Sequence, residues 1–337
     1  MDSKKSVVRF ALTALLVVGV LESGLSLGKP ETQSGQGASA PVQTEQAYEQ
    51  VTINNGGRLL TFTEMPRRVV AFNSYVTENM LALGLADKIA ATSAMSPGNK
   101  PLAEFAAEYA NIPEIPQRSH EIALSYDPQL VAGQVSTFTD RAWGTVEMFQ
   151  DKGIQSYIIA GTLVEDETID HIYEDLENLG KIFKVEDRAI ALIAAMKAKV
   201  DRVRKVTAGL TKKPKVFVMD SNNGNEIYTT SKGLESQLIE LAGGVNVTRN
   251  ESPARWFTTS IETLVDKDPD IILFNVYGTV PVEEKIAFID ENPALKDVAA
   301  VKNRHYVIIP LQDVMQDIRA ADTVQTLAKA FYPDLFN

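Results

Sequence analysis

The stretch DETIDHIYEDLENLGKIFKVEDRAIALIAAMKAKVDRVRKVTAGL, residues Asp166 to Leu210, decides how the rest of the chain is arranged. It contains two amphipathic runs. One places apolar residues at Ile169, Ile172, Leu176, Leu179 and Phe183, the other at Ala189, Ile193, Met196, Val200, Val203 and Val206. Steps of three and four put each set on one helix face. The second run opens on Glu186 and Asp187 and closes on Arg202, Arg204 and Lys205, the charge order that a helix dipole favours. At ~1.5 Å per residue a helix from Glu186 to Val206 is roughly 30 Å long, enough to cross from one lobe to another. What flanks it on either side is therefore compared.

On the N-terminal side, after a lead-in from Tyr48 to Thr61, the pattern predicts a buried strand at Arg67 to Phe72 and a helix at Thr77 to Leu85. A strand at Ile89 to Thr92, a strand at Leu130 to Gly133, a helix at Trp143 to Lys152 and a strand at Ile154 to Ile159 follow. On the C-terminal side, strands at Lys215 to Met219 and Ile271 to Phe274 alternate with helices at Leu234 to Leu241 and Ile261 to Lys267. Alternating strands and helices imply parallel βαβ units. EIALSYDPQLVAGQ (Glu121 to Gln134) and IETLVDKDPDIILFN (Ile261 to Asn275) share a helix, an Asp-Pro break and a buried strand. Proline fixes the turn and pushes the preceding Asp out of the helical region. The expected fold is α/β: two Rossmann-like lobes with parallel sheets, residues 47–165 and 211–337, joined by a single long helix within a helical bridge at 166–210.

These stretches, with RVVAFNSYVTENMLALGL (Arg68 to Leu85), GLESQLIELAGGVNV (Gly233 to Val247) and DIRAADTVQTLAKAFYPDLF (Asp317 to Phe336), resemble the helical-backbone class of substrate-binding proteins of ABC importers. That class takes up iron-siderophores, cobalamin and haem. The resemblance covers nearly the whole chain after Arg67. It implies a ligand cleft between the lobes, a joining helix that limits hinge motion, and delivery of a small-molecule metal chelate to a membrane permease. It also implies that Glu78, in the VTEN stretch, docks on the permease, with Gln237 at the matching place in the second lobe and Glu235 and Glu240 close enough to substitute.

In open α/β sheets ligands bind beyond the carboxyl ends of the strands. The loops after the predicted strands hold Asn73, Tyr75, Gln134 and Ser136 in the first half and Tyr277 in the second. Trp143, Tyr228, Trp256 and Phe257 add amphipathic walls of the kind binding clefts use, although core packing is the commoner role of a single aromatic. Arg118, Arg255 and Arg319 are the candidate anion-binding cations, since a guanidinium presents a fork of donors and stays charged when partly desolvated. Trp256 and Arg255 stand out, because SPARWFTTS (Ser252 to Ser260) has no clear period and is hard to place in a core. His120 precedes the first Asp-Pro stretch, where the resembled class often places a pocket residue. His171 and His305 show no metal-ligand spacing, so no intrinsic metal or cofactor is expected.

With 337 residues and 45% hydrophobic composition the chain can bury a sizeable core. Its 33 basic and 44 acidic residues give a net charge of −11 without a basic block after Arg9, which argues against nucleic acid as a partner. The absence of Cys removes disulfides and thiol chemistry. Lys4, Lys5 and Arg9 precede an apolar run from Phe10 to Leu21, the order of a secretory signal and too short to span a bilayer. Residues 1–27 are thus expected to be a signal, lipoprotein-like but with Leu25 where a lipidated Cys would stand, and 28–46 a flexible tether. No G-x-G-x-x-G, phosphate loop, nucleophile elbow or H-E-x-x-H is present, so an exported two-lobed α/β enzyme ranks below a binding protein. The expected function is an exported, monomeric binding protein at the cell surface or in the periplasm. A ferric siderophore is its first-ranked ligand, cobalamin or another corrinoid the second and haem the third.

Overall fold

The computed structural model describes residues 48–336, so the signal and tether readings lie outside the described residues. The lead-in is an antiparallel hairpin, β1 (Val51–Asn55) and β2 (Arg58–Phe62), joined through Gly56 and Gly57 at positive φ. Then come β3 (Val69–Ala71), β4 (Ile89–Ser93), β5 (Glu114–Ile115), β6 (Leu130–Gly133) and β7 (Gln155–Ile158), an all-parallel sheet in the order β5-β4-β3-β6-β7. After the bridge lie β8 (Lys215–Met219), β9 (Ser221–Asn223), β10 (Glu226–Thr230), β11 (Val245–Asn246), β12 (Trp256–Ser260), β13 (Ile271–Val276) and β14 (Tyr306–Pro310). Here β11-β8-β13-β14 form a second parallel sheet and β12-β10-β9 a separate antiparallel one.

Side-chain alternation explains why the sheets are buried on both faces. Val69 and Ala71 point into one apolar core while Val70 and Phe72 point into another, and Val216 and Val218 part from Phe217 and Met219 in the same way. The core that takes Val69 and Ala71 is the same one that takes Val216 and Val218, and it continues through Leu176, Ile193, Met196, Leu234 and Val324. The lobes are thus two sheets sharing one apolar interior.

The bridge is two helices, Ile169–Phe183 and Glu186–Thr207, turned at Lys184, which takes a left-handed φ of 54°. In the second, Ala189, Ile193, Met196, Val200 and Val203 are buried as expected, but Thr207 is buried in place of Val206, which is exposed. The last turn rotates Val206 outward because the buried stripe steps by four from Val203. The C-terminal helix Ala320–Phe331 lies along this second helix.

Both Asp-Pro breaks work alike. Asp127 (φ 48°) and Asp268 (φ 43°) are left-handed, ending the helices His120–Ser125 and Ile261–Lys267 one step before a proline that leads into the strands Leu130–Gly133 and Ile271–Val276. Two expectations fail. The helix expected from Trp143 runs only Val146–Gln150, because Gly144 takes φ 101° and Thr145 caps the first turn. SPARWFTTS does not lie between elements: without any period to mark it, Trp256–Ser260 is a strand paired with Glu226–Thr230.

At the bridge corner, a Cβ on Gly180 would stand 2.9 Å from the Ala189 Cβ and 3.4 Å from the Glu186 Cα. Neither neighbour is a flexible side-chain tip. Gly180→Ala is expected to lower the urea-unfolding free energy by about 1 kcal/mol, overpacking of about 1–3 kcal/mol being partly offset by the helix propensity of Ala.

Candidate functional site

Each parallel sheet reverses its chain order once, between β3 and β6 in the first and between β8 and β13 in the second. Loops leave such a point in opposite directions and open a crevice at the strands' carboxyl ends. In the first lobe the crevice holds Asn73 and Gln134. Asn73 Oδ1 accepts from the Gln134 backbone N–H at 3.0 Å, and the Tyr75 hydroxyl donates to Gln134 Oε1 at 2.9 Å. Burial pushes the Tyr75 hydroxyl well above its ordinary pKa, so it remains a donor. Gly133 leaves room for this arrangement: a Cβ there would meet Thr137 Oγ1 at 2.7 Å and Phe72 Cβ at 2.9 Å.

In the second lobe the crevice holds Asp220 and Tyr277, whose hydroxyl donates to Asp220 Oδ2 at 2.7 Å. Lys285 is buried beneath them, donating to the carbonyls of Asp220 and Asn275 and lying 4.8 Å from the Tyr277 ring centroid. Burial lowers its pKa and also raises that of Asp220.

Between these walls lies a cavity of about 260 Å³ bordered by Asn73, Tyr75, Arg118, Gln134, Trp143 and Tyr277 of the expected residues, and by Gln312 and Met315, which sequence reasoning missed. Trp143 is fully buried, stacked on Phe72 at 4.7 Å, and its Nε1 has no hydrogen-bond partner. Gln312 is 3% exposed and neither its Nε2 nor its Oε1 is paired. Arg118 is exposed and makes no ion pair among the described residues. A smaller cavity of about 160 Å³, bordered by Arg255, Trp256, Glu167, Glu235 and Gln316, shares Gln134 and Met315 with the first. Among the described residues no group of three or more His, Cys, Asp or Glu side chains is placed to hold a metal.

Other expected residues are elsewhere. His120 is not on the cavity wall; its Nδ1 lies 3.0 Å from the Trp143 carbonyl and its ring packs edge-on against Phe149. Ser136 is exposed, and Phe257, within the antiparallel sheet, borders neither cavity. Tyr228 is 39% exposed and stacks on Trp256 at 5.7 Å.

Two of the three candidate anion-binding arginines are already neutralised. Arg255 donates to Glu167 Oε2 at 3.1 Å and to the carbonyls of Gly161 and Val164, fastening the second lobe to the segment ahead of the bridge. Arg319, its side chain 11% exposed, forks onto Glu78 at 2.6 and 2.7 Å and reaches Asp313 at 2.9 Å. The docking assignments change for the same reason. Glu78 is 0% exposed and also accepts from the Leu102 N–H, so its carboxylate is committed inside the protein and not presented to a permease. Glu235 is 3% exposed, and Gln237 is occupied by the Ile169 N–H at 2.6 Å. Glu240 alone is at the surface, shared with Arg249.

Residues 69–312 match the family model described as "Periplasmic binding protein". The chain belongs to that family, and it is a substrate-binding protein of an ABC importer. It is 22% identical over 329 residues to the uncharacterised ABC transporter substrate-binding lipoprotein YvrC of Bacillus subtilis, covering 96% of each chain. It is 27% identical over 236 residues, 67% of this chain and 76% of the relative, to the high-affinity heme uptake system protein IsdE of Staphylococcus aureus. The crystal structure of an ABC-type Fe3+-hydroxamate transport system from Saccharomonospora viridis superposes with a TM-score of 0.71 at 23% identity, over 83% of this chain and 98% of that one. Binding proteins of this kind work outside the cytoplasmic membrane, and no helix among the described residues is long and apolar enough to cross one.

Two predictions follow from the buried charges. Arg319→Ala leaves Glu78 buried without a counter-charge and is expected to cost about 3–5 kcal/mol in urea unfolding, most of it recovered in an Arg319→Met, Glu78→Gln double variant. Asp175, which accepts from the Tyr157 hydroxyl at 2.6 Å, has its pKa raised by burial to about 7. Its folded value exceeds its unfolded one, so its contribution is full below about pH 4 and is lost as pH rises through 7. Asp175→Asn should therefore gain stability relative to the native chain between pH 5 and pH 8, by about 1 kcal/mol or more, in unfolding midpoints measured across that range.

Proposed function

We propose that this chain captures a ferric siderophore outside the cytoplasmic membrane and passes it unchanged to an ABC permease. The observation that carries the reading is that two residues bordering one cavity from opposite lobes each hold a buried, unpartnered group, Trp143 its indole N–H and Gln312 its side-chain amide. Each such group costs about 1–3 kcal/mol while unpaired. A ligand that supplies both acceptor oxygens and donor N–H groups repays that cost, and a chelate wrapped in amide and hydroxamate groups does so. The charge balance refines the expected ligand. Arg255 and Arg319 are spent on Glu167 and Glu78, so among the described residues Arg118 alone offers uncompensated positive charge at the larger cavity. That favours a neutral or weakly charged chelate over a polyanion. The hydroxamate system named for the S. viridis structure supports the same chemistry.

Haem is the second reading, favoured by the relationship to IsdE and by Met315, whose thioether borders both cavities. Among the three candidate docking acids, Glu240 is the one whose position suits a permease contact.

Calorimetric titration with ferrichrome, a neutral ferric trihydroxamate, and in parallel with haemin and cyanocobalamin, tests the reading. Ferrichrome should bind, and Gln312→Leu should weaken it by about 5- to 30-fold, the loss of about 1–2 kcal/mol of hydrogen bonding. Tight haemin binding with no response to ferrichrome would replace the siderophore with haem.

A further inference from the structure

The smaller cavity differs from the larger one in the sign of its unmet hydrogen bonding. Glu235 borders it from the first turn of the helix Leu234–Leu241, and Glu235 Oε1 is buried with no partner, while Oε2 receives only the Asn275 amide at 3.3 Å. Gln316 also borders it, 5% exposed, and its Oε1 is likewise buried and unpaired. Both are acceptors. The remaining charged groups on the walls are already engaged: Glu167 Oε2 takes Arg255 Nη1 at 3.1 Å and Gln316 Nε2 at 2.8 Å, and Lys232 lies 3.8 Å from Glu165. A donor-only group would complete the site; guanidinium and protonated primary amine are the side-chain classes that bring several donors without an acceptor, and the compact ammonium is the one that suits a cavity of about 160 Å³.

We propose that this cavity is a subsite for a primary ammonium group, received by Glu235 Oε1 and Gln316 Oε1, and that it takes the aminoalkyl arm of a ligand whose chelate fills the larger cavity. The two cavities share Gln134 and Met315 in their linings, so they are neighbours, and an arm that passes those two side chains reaches from one to the other. The proposal rests on the siderophore reading only for the identity of the whole ligand; the ammonium site stands on its own geometry. Without a ligand, burial raises the Glu235 pKa to about 8, with Asp220 adding to the effect and the Asn275 amide opposing it. The empty site at pH 7 therefore carries a proton that an arriving ammonium replaces, and affinity should rise from pH 6 to pH 8 with proton release. The groups facing Glu235 are Asn275, with Asp220 acting from further off; Glu167, Arg255 and Lys232 stand on the other walls.

Trp256 borders the cavity and reports its occupancy, whereas Trp143, the other tryptophan, stacks on Phe72 in the first lobe. n-Butylammonium should change Trp256 fluorescence saturably and n-butanol, its near-isostere without charge, should not. Glu235→Gln, a neutral replacement for a carboxyl already held neutral, should weaken the amine by about tenfold or more. A second arm compares ferrioxamine B, which ends in a primary ammonium, with its N-acetyl derivative: the native chain should prefer the former by about tenfold and the Glu235→Gln variant should lose that preference. Equal responses to butanol and butylammonium, or an amine affinity unchanged in Glu235→Gln, overturn the ammonium site. Equal affinity for the two ferrioxamines overturns the aminoalkyl arm while leaving the siderophore reading in place. Amine binding intact with no chelate bound overturns the siderophore reading and leaves the site.

Discussion

The Arg319–Glu78 pair is the contact on which the relation of the two lobes depends. Glu78 belongs to the first helix of the first lobe and Arg319 caps the last helix of the second, 241 residues later, yet both are nearly stripped of solvent. A buried carboxylate next to a bidentate guanidinium is held by charge that neither partner can discharge alone, so separating the lobes at this point exposes a cost on both sides. Asn79 adds to the joint, donating to the Gln316 carbonyl at 3.1 Å and accepting from the Ile318 N–H at 3.1 Å. On the other flank Arg255 ties the second lobe to Glu167, and Arg249 reaches Asp166.

These polar ties act together with the apolar core that both sheets share. A hinge built from flexible strands can open because little is buried across it. Here the inner faces of β3 and β8 empty into one interior that runs through the bridge helices. Wide opening would expose that interior to water. The crevice at the two switch points is therefore a nearly preformed slot, and selectivity has to come from what its walls lack, such as a partner for the Gln312 amide, as much as from what they present. Paired arginines also keep the slot from being a general anion trap in a chain of net charge −11.

Much of the fold was legible because it rests on short-range rules. The period-three-and-four stripes of the bridge, the strands at Lys215–Met219 and Leu130–Gly133 and the two Asp-Pro breaks all follow from backbone and burial preferences that neighbouring residues set. The extent of the helix at Val146–Gln150 was not, because one glycine at positive φ moved Trp143 out of the helix and into the core. The antiparallel sheet was missed for a related reason: Trp256–Ser260 has no alternation of its own, being half-buried throughout except at Thr258, and is a strand only through its pairing with Glu226–Thr230, a partner about thirty residues away along the chain. Gln312 and Met315 follow the last parallel strand, Tyr306–Pro310, so the rule that ligands sit beyond strand ends would have found them had it been applied to that strand as well.

By itself the sequence determined the elements, their α/β alternation, the repeated lobe plan and the bridge, because propensity, periodicity and proline stereochemistry act within a few residues. Only the tertiary structure decided which charges are free. Glu78 read as a surface acid and Arg255 and Arg319 as open cations, since nothing local distinguishes a guanidinium facing a ligand from one facing a carboxylate brought in from elsewhere in the chain. Pairing across 88 residues in one case and 241 in the other is a property of how the lobes close on each other, and that closure also leaves Trp143, Gln312, Glu235 and Gln316 among the buried groups with hydrogen bonds still to make.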